Sequence, residues 1–172
     1  MGTKNLKTPI CTFDAKTGVL CQGCEAKLEA GQLTTSEIET AIKLTQLGQK
    51  ERALDNLSLM SAARSGSELI LFLKGTDILY LRSNPELLKK LEKELGQVVW
   101  LIEAQATGKK FIENLFFPSK VINMNFFWLP DGKKLTRVLI EKNDPRIVAK
   151  ATKIHDIAKD LRNVDLIVEY QS

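Results

Sequence analysis

After an N-terminal segment, the spacing of apolar and polar residues predicts two consecutive copies of the same order of helices and strands. In the first copy, apolar residues at helical spacing predict a helix over about 36–47, and two strands follow over 57–63 and 68–74. Asn84-Pro85 then begins a helix that Gly96 ends, and a strand covers 98–102. The unbroken apolar run 69–73 indicates a strand that is buried on both faces.

The second copy repeats the order helix, strand, strand, helix, strand. A helix over about 105–116 is followed by strands over 121–129 and 135–140, which Pro130-Asp131-Gly132 joins in a tight turn. Asp144-Pro145 begins the second helix, and a strand over 164–169 closes the copy. The recurring order favours a repeated α/β unit over an accidental likeness of two common segments. Both second helices also start with an Asx-Pro pair, which is a generic signal for a helix start.

The aromatic residues of the strand 121–129 alternate between its two faces. Trp128 shares a face with Met124 and Phe126, so the pattern predicts that Trp128 lies in the core. Phe127 lies on the opposite face, where an exposed ring could stack on a base, although partial burial in the core is the more common outcome.

Composition is that of an ordinary globular protein, with 44% apolar and 27% charged residues among 172. No apolar run approaches the roughly 18 residues that a membrane span needs, and Met1–Pro9 lacks the apolar core of a signal peptide. We therefore expect a cytoplasmic protein without a membrane partner. Its predicted parts are a disordered tail over 1–8, a zinc knuckle over 9–33, and two α/β units over 34–103 and 104–172.

All three cysteines lie within the first 24 residues, as Cys11, Cys21 and Cys24. An odd, clustered set in a cytoplasmic chain favours a metal over disulfides, and the C-x2-C pair suits a metal knuckle. Zinc in a structural site takes four ligands, and the lone His155 is far away in the sequence. Asp14 stands three residues after Cys11, so the pattern predicts one structural zinc ion on Cys11, Asp14, Cys21 and Cys24.

Two other interpretations of the cysteines stay open. They can be reduced structural cysteines with Asp14 capping a turn, or Cys21 and Cys24 can form a redox pair. A thioredoxin-like pair would open a longer helix after a strand, whereas the helix predicted here over 25–30 is barely two turns long.

Three stretches carry a resemblance to archaeal NusA-like proteins with KH domains of the second type. They are "LILFLKGTDILYLRSNPELLKKLEKELGQVVWLIE" over 69–103, "PICTFDAKTGVLCQGCEAKLEAG" near the N-terminus and "INMNFFWLPDGKKLTRVLI" near the C-terminus. The last two resemble the N-terminal knuckle and the C-terminal hairpin of archaeal KH proteins predicted to bind RNA. The resemblance spans about 9–170 and implies an α+β protein with a zinc knuckle and two tandem KH type II-like α-β-β-α-β units.

The family binds RNA through a GxxG loop, whose glycines let the backbone approach phosphates closely. By position this loop falls on Arg82-Ser83-Asn84-Pro85, and in the second unit on Asn143-Asp144-Pro145-Arg146; neither has the glycines. Arg82 could still meet a phosphate, and Ser83 and Asn84 could donate hydrogen bonds. We expect these degenerate loops not to grip a single strand in the usual KH manner.

Basic residues supply the remaining candidate RNA contacts. Lys89, after the first loop, belongs to a helix face where glutamates offset the lysines, which is typical of a solvated surface. Lys133, Lys134 and Arg137 form a cleaner basic group beside the hairpin turn. The net charge is only +4, so the composition permits a basic patch without requiring one.

The chain has one histidine and none of the Walker, Rossmann or G-x-S-x-G motifs, so we expect a protein that is not an enzyme. The resemblance implies an RNA-binding accessory factor in transcription elongation or termination, with RNA polymerase as a possible partner. Two alternatives remain: a structural subunit of the ribosome or another ribonucleoprotein, and a protein-interaction adaptor for the transcription machinery.

Overall fold

The computed structural model describes residues 6–141 and 144–171 and is an α+β structure. It divides between Gln105 and Ala106 into two compact units, which we call unit 1 and unit 2. Each unit contains one small mixed sheet of three strands.

Unit 1 contains the cysteine segment and the first sheet. Its elements in chain order are α1 Thr12–Thr17, α2 Gln22–Glu29, α3 Thr35–Lys50, a 3₁₀ turn Arg52–Leu54, β1 Leu59–Ser65, β2 Glu68–Leu73, α4 Gly75–Ser83, α5 Pro85–Leu95 and β3 Val99–Glu103. The strand order is β1-β2-β3, with β1 antiparallel and β3 parallel to β2. The parallel register places Leu69 opposite Val99 and Leu73 opposite Glu103.

Local signals explain where these elements begin and end. The Thr34 side chain accepts a hydrogen bond from the Glu37 backbone N–H at 3.2 Å and caps α3. Gly66, with φ of 58°, makes the tight turn between β1 and β2. Pro85 occupies the first turn of α5, and Gly96 ends that helix with φ of 77°.

The core of unit 1 lies between its sheet and its helices. Leu69 and Leu71 of the central strand are fully or nearly fully buried, and Ile70 on the opposite face is buried as well, as the unbroken apolar run predicts. Ala15 and Cys24 belong to the same core cluster as Leu69 and Leu71. The cysteine segment is therefore packed as part of unit 1.

Three local features differ from the sequence predictions. Within the predicted disordered tail, residues 1–5 lie outside the described residues, but Lys7 forms a parallel bridge with Ser58, just before β1. The Lys7 N–H donates to the Leu57 carbonyl at 3.1 Å, and the Leu59 N–H donates to the Lys7 carbonyl at 2.8 Å. Helix α1 is absent from the predictions because its six residues are too few to show a helical period. Helix α4 has nine residues, where only a short turn over 78–81 was expected.

Unit 2 has the same strand arrangement. Its elements are α6 Gly108–Phe116, β4 Val121–Trp128, β5 Lys134–Ile140, α7 Pro145–Arg162 and β6 Leu166–Tyr170. The order is β4-β5-β6, again antiparallel and then parallel. The Asp144 side chain caps α7 by accepting the Arg146 N–H at 2.9 Å. Residue 143, part of the second predicted loop, lies outside the described residues.

None of the helices in the described part of the chain combines the length and the apolar character that crossing a lipid bilayer would need.

Candidate functional site

The metal ligands predicted from the sequence stand at two helix N-termini. Cys11 is the N-cap of α1 and Cys21 is the N-cap of α2. Asp14 and Cys24 each lie three residues further, in the first turn of the respective helix. Because an N-cap side chain and the third helical side chain lie close together, each helix start presents two ligands.

These four side chains lie together in space. One ligand atom from each of Cys11, Asp14, Cys21 and Cys24 falls within 4.8 Å of all the others. Bonds of about 2.3 Å to sulfur in a tetrahedral site would place ligand atoms roughly 3.7 Å apart, so a small contraction closes the shell. The group can therefore bind one metal ion.

Asp14 fits the position of a ligand better than that of a simple turn cap. Its carboxylate is fully buried, and its Oδ2 accepts the Cys21 backbone N–H at 2.9 Å. Its Oδ1 is buried and accepts no hydrogen bond from the described residues. Such an oxygen is costly unless it has a partner, and a metal ion would supply one. The hydrogen bond from the Cys21 backbone, followed by one from Cys24, lowers the pKa of Asp14 to about 2.

Cys24 is the most buried of the three thiols, and its pKa is shifted. A backbone hydrogen bond at Cys11 acts to lower its pKa, but the Asp14 carboxylate, burial and the neighbouring cysteines outweigh it and raise the pKa to about 12. Metal-free Cys24 therefore holds its proton at neutral pH. Because a thiol binds metal as the thiolate, metal binding must expel that proton.

The predicted RNA loop of unit 1 forms the junction between α4 and α5. The Ser83 hydroxyl donates to the Leu79 carbonyl at 2.7 Å, and the Asn84 amide donates to the Tyr80 carbonyl at 2.8 Å. Both side chains thus cap the C-terminus of α4. The only hydroxyl proton of Ser83 and one of the two amide protons of Asn84 are engaged within the chain.

The basic residues near this junction differ in their surroundings. Arg82 is half-buried, and its burial lowers the pKa of its guanidinium. Lys89 is exposed on α5. Its neighbour Lys90 contacts Glu51 at 2.8 Å, and this hydrogen bond raises the pKa of Lys90. The junction therefore offers Lys89 as an exposed cation.

The predicted basic group of unit 2 is divided among three environments. Arg137 pairs with Glu169 on the neighbouring strand. Lys133 lies 4.0 Å from Asp165. Lys134 stands over two aromatic rings. Strand alternation explains the separation, because Lys134 and Arg137 project from opposite faces of β5. The three residues do not act as one patch.

The exposure of the side chains at the end of β4 contradicts one prediction. It also shows a group of exposed aromatic rings that the alternation pattern did not indicate. Trp128, predicted in the core, is 71% exposed, and Phe126 on the same face is 50% exposed. Phe127, on the opposite face, is 45% exposed. Lys134 Nζ lies 4.0 Å from the centroid of the Phe126 ring and 5.7 Å from that of Trp128. The sequence shows that Phe126 and Trp128 share a face of the strand, but not at which residue the burial of that face ends.

No family model matches the chain, and no curated protein matches it. Among solved structures, 60 chains match. One of them is the crystal structure of APE1850, with a TM-score of 0.51 at 15% sequence identity. The match covers 75% of this chain and 95% of APE1850. At this identity, the likeness concerns the fold alone.

Proposed function

We propose that the protein is a non-catalytic RNA-binding accessory factor that resembles archaeal NusA-like transcription elongation and termination factors. The observation that carries the proposal is the repeated topology. In both units a helix precedes an antiparallel strand pair, and helical structure then leads to a third strand parallel to the second. This is the order implied by two tandem KH type II-like units.

The charge distribution favours unit 2 as the part that meets RNA. Unit 1 has 13 basic and 13 acidic residues, whereas residues 106–172 have 12 basic and 8 acidic residues. The whole net charge of +4 therefore belongs to unit 2. Affinity for RNA comes largely from neutralising phosphates, which needs such an excess.

The α4–α5 junction favours binding that is weak and indifferent to sequence. Arg82 and Pro85 replace the glycines of the GxxG loop, and Ser83 and Asn84 use side-chain donors on α4. Without close backbone approach, a strand is not held so that its base edges are read. What remains are cationic contacts, which position RNA without specifying its sequence.

One structural zinc ion completes the proposal. Three thiolates and a carboxylate are ligands that zinc accepts, and a full set of four protein ligands is typical of a structural rather than a catalytic zinc site. Since Ala15 and Cys24 belong to the core of unit 1, the ion would hold α1 and α2 against that core. Elemental analysis of protein purified without added metal should find one zinc per chain. Metal-free protein that stays fully folded would contradict this.

RNA binding is tested by titrating labelled single-stranded and structured RNAs at several salt concentrations. We expect similar affinities for all sequences and a steep loss of affinity as salt rises. Replacing Lys133, Lys134 and Arg137 by alanine should weaken every RNA alike and reduce the salt slope, by about 0.7 for each of these residues that contacts a phosphate of a single strand. Lys43, Lys50 and Lys93 of unit 1 are also exposed. Their replacement together removes the same formal charge and forms the matched control.

The control variant should have the smaller effect. Absence of RNA binding at low salt would refute the proposal and favour the protein-interaction adaptor. A tagged pull-down separates the remaining alternatives, because co-sedimentation with ribosomes would favour a ribonucleoprotein subunit over a transcription factor.

A further inference from the structure

The end of the β4–β5 hairpin presents two aromatic rings and a cation to solvent on one face. Phe126 and Trp128 are 50% and 71% exposed, and Lys134 lies across from Trp128 in the antiparallel register. We call these three residues the hairpin face. Exposed aromatic residues that adjoin each other are uncommon unless something binds them.

The hairpin face is the uncovered continuation of a buried sheet face. Thr136 and Val138 project from β5 on the same side as Lys134, but they are only 5% and 0% exposed. Two hydrogen bonds also fix the turn. The Leu129 backbone N–H donates to the Lys133 carbonyl at 2.8 Å, and the Lys133 backbone N–H donates to the Asp131 carboxylate at 2.9 Å. The rings are therefore held by a structured hairpin before any ligand arrives.

The charge around the hairpin face fits an anionic ligand. Lys134 projects among the rings, and its close contacts in the described part of the chain are with Phe126 and Trp128. Lys133 and Lys159 share the carboxylate of Asp165, at 4.0 Å and 3.0 Å, which leaves one positive charge in excess. A second copy of this chain would bring Lys134 against another Lys134, so like charges oppose self-association through this face.

The spacing of the rings distinguishes a single strand from a duplex. Two residues apart on a strand, Phe126 and Trp128 are offset by about 6.7 Å. Bases stacked in a duplex strand are only about 3.4 Å apart. Successive nucleotides that each meet one ring must therefore be splayed away from each other, as in a flexible single strand.

We propose that the hairpin face is a stacking platform for single-stranded RNA, in which bases replace the Lys134 ammonium over Phe126 and Trp128 and Lys134 turns to the phosphates. The inference rests on the proposed RNA-binding function and names the contact surface and the form of RNA. It also predicts a component of binding that salt does not remove, because stacking on a ring does not depend on released counterions.

The experiment uses Trp128 as its own reporter. The chain has two tryptophans, and Trp100→Phe leaves Trp128 as the only one. Because the Trp100 indole donates to Glu68 at 3.0 Å, the fold of this variant is first checked by circular dichroism. Short oligouridylate, oligoadenylate and inorganic polyphosphate are then titrated. We expect both RNAs to quench Trp128 emission, and polyphosphate to bind without quenching.

Substitutions separate the hairpin face from its surroundings. Trp128→Ala and Phe126→Ala should each weaken oligoribonucleotide binding about tenfold, as expected for the loss of one stacked base. Trp128→Phe should recover most of the affinity. Phe127→Ala is the matched control, because it removes a ring of similar exposure, 45%, from the opposite face. It should change the affinity by less than about threefold.

The outcomes distinguish the inference from the function on which it rests. If RNA binds, but without quenching and equally well to Trp128→Ala, the inference is overturned and the proposed function stands. If wild-type protein binds no RNA at low salt, both fall. If the wild-type protein dimerises and Trp128→Ala sediments as a monomer, the hairpin face is instead an interface between copies, and the inference is overturned.

Discussion

Replacing Cys24 by serine perturbs the proposed metal centre at its most buried cysteine. A serine hydroxyl stays protonated at neutral pH, so it does not replace the thiolate. Zinc at a free concentration of about 1,000 times its Kd stabilises the folded protein by about 4.1 kcal/mol. We expect the loss of one ligand to weaken zinc binding at least about 100-fold. This is the largest effect that is usual for residues that only orient a metal ligand, and a ligand itself should matter at least as much. The same zinc concentration then contributes only about 1.4 kcal/mol.

The difference, about 2.7 kcal/mol, corresponds to a fall in Tm of roughly 11–22 °C for a unit of about 100 residues. Because Cys24 also packs in the core of unit 1, its replacement destabilises the metal-free protein too. Thermal unfolding is therefore measured with zinc and with a chelator for wild type and variant, and the two mutational changes are subtracted. Cys11→Ser, at an exposed position, should show the same loss of zinc response with a smaller metal-free change. If zinc raises the Tm of Cys24→Ser as much as that of wild type, Cys24 is not a ligand.

Asp14→Asn keeps an oxygen for the Cys21 N–H but loses a metal-binding oxygen, so zinc affinity in a chelator competition should fall at least about tenfold; an unchanged affinity would leave Asp14 as a turn cap. The raised pKa of Cys24 keeps its thiol protonated between pH 6 and 8, and zinc binding must release that proton. The release of this one proton should raise the zinc affinity by about tenfold for each unit by which the pH rises. A zinc affinity that does not depend on pH would contradict this. Asp77 Oδ2 accepts the buried Ser58 N–H at 2.9 Å, so Asp77→Ala should lower the free energy of unfolding in urea by about 1–3 kcal/mol. Asp77→Asn keeps an acceptor and should retain most of that stability. Equal losses for the two variants would refute the hydrogen-bond argument.

The metal cluster was predictable from the sequence because its determinants are local. C-x2-D and C-x2-C each fix two side chains within one helical turn, and only the meeting of the two turns needs the fold. Asp14 links them through its hydrogen bond to the Cys21 N–H. The strand order along the chain was equally accessible, since period-two alternation and turn residues mark strands without knowledge of their neighbours.

The candidate RNA contacts were harder to predict because their availability depends on partners. The sequence indicates that Ser83 and Asn84 can donate hydrogen bonds, but not that carbonyls of α4 accept them first. Likewise, Lys133 and Arg137 are close in sequence to Lys134, yet their carboxylate partners come from the β6 region, about 30 residues away. The alternation pattern correctly assigned Trp128 to the core-facing side of the sheet. Burial on that side ends at Thr136, however, and the next cross-strand pair, Trp128 and Lys134, lies beyond it.

The two units carry opposite features for RNA binding, although they share one topology. Unit 1 has no net charge, and the side chains of its α4–α5 junction stabilise a helix end. Unit 2 has the entire positive excess and the exposed rings at its hairpin. The proposed contact site on the hairpin lies outside the α4–α5 junction, so the proposed RNA binding does not require the glycines that this junction lacks.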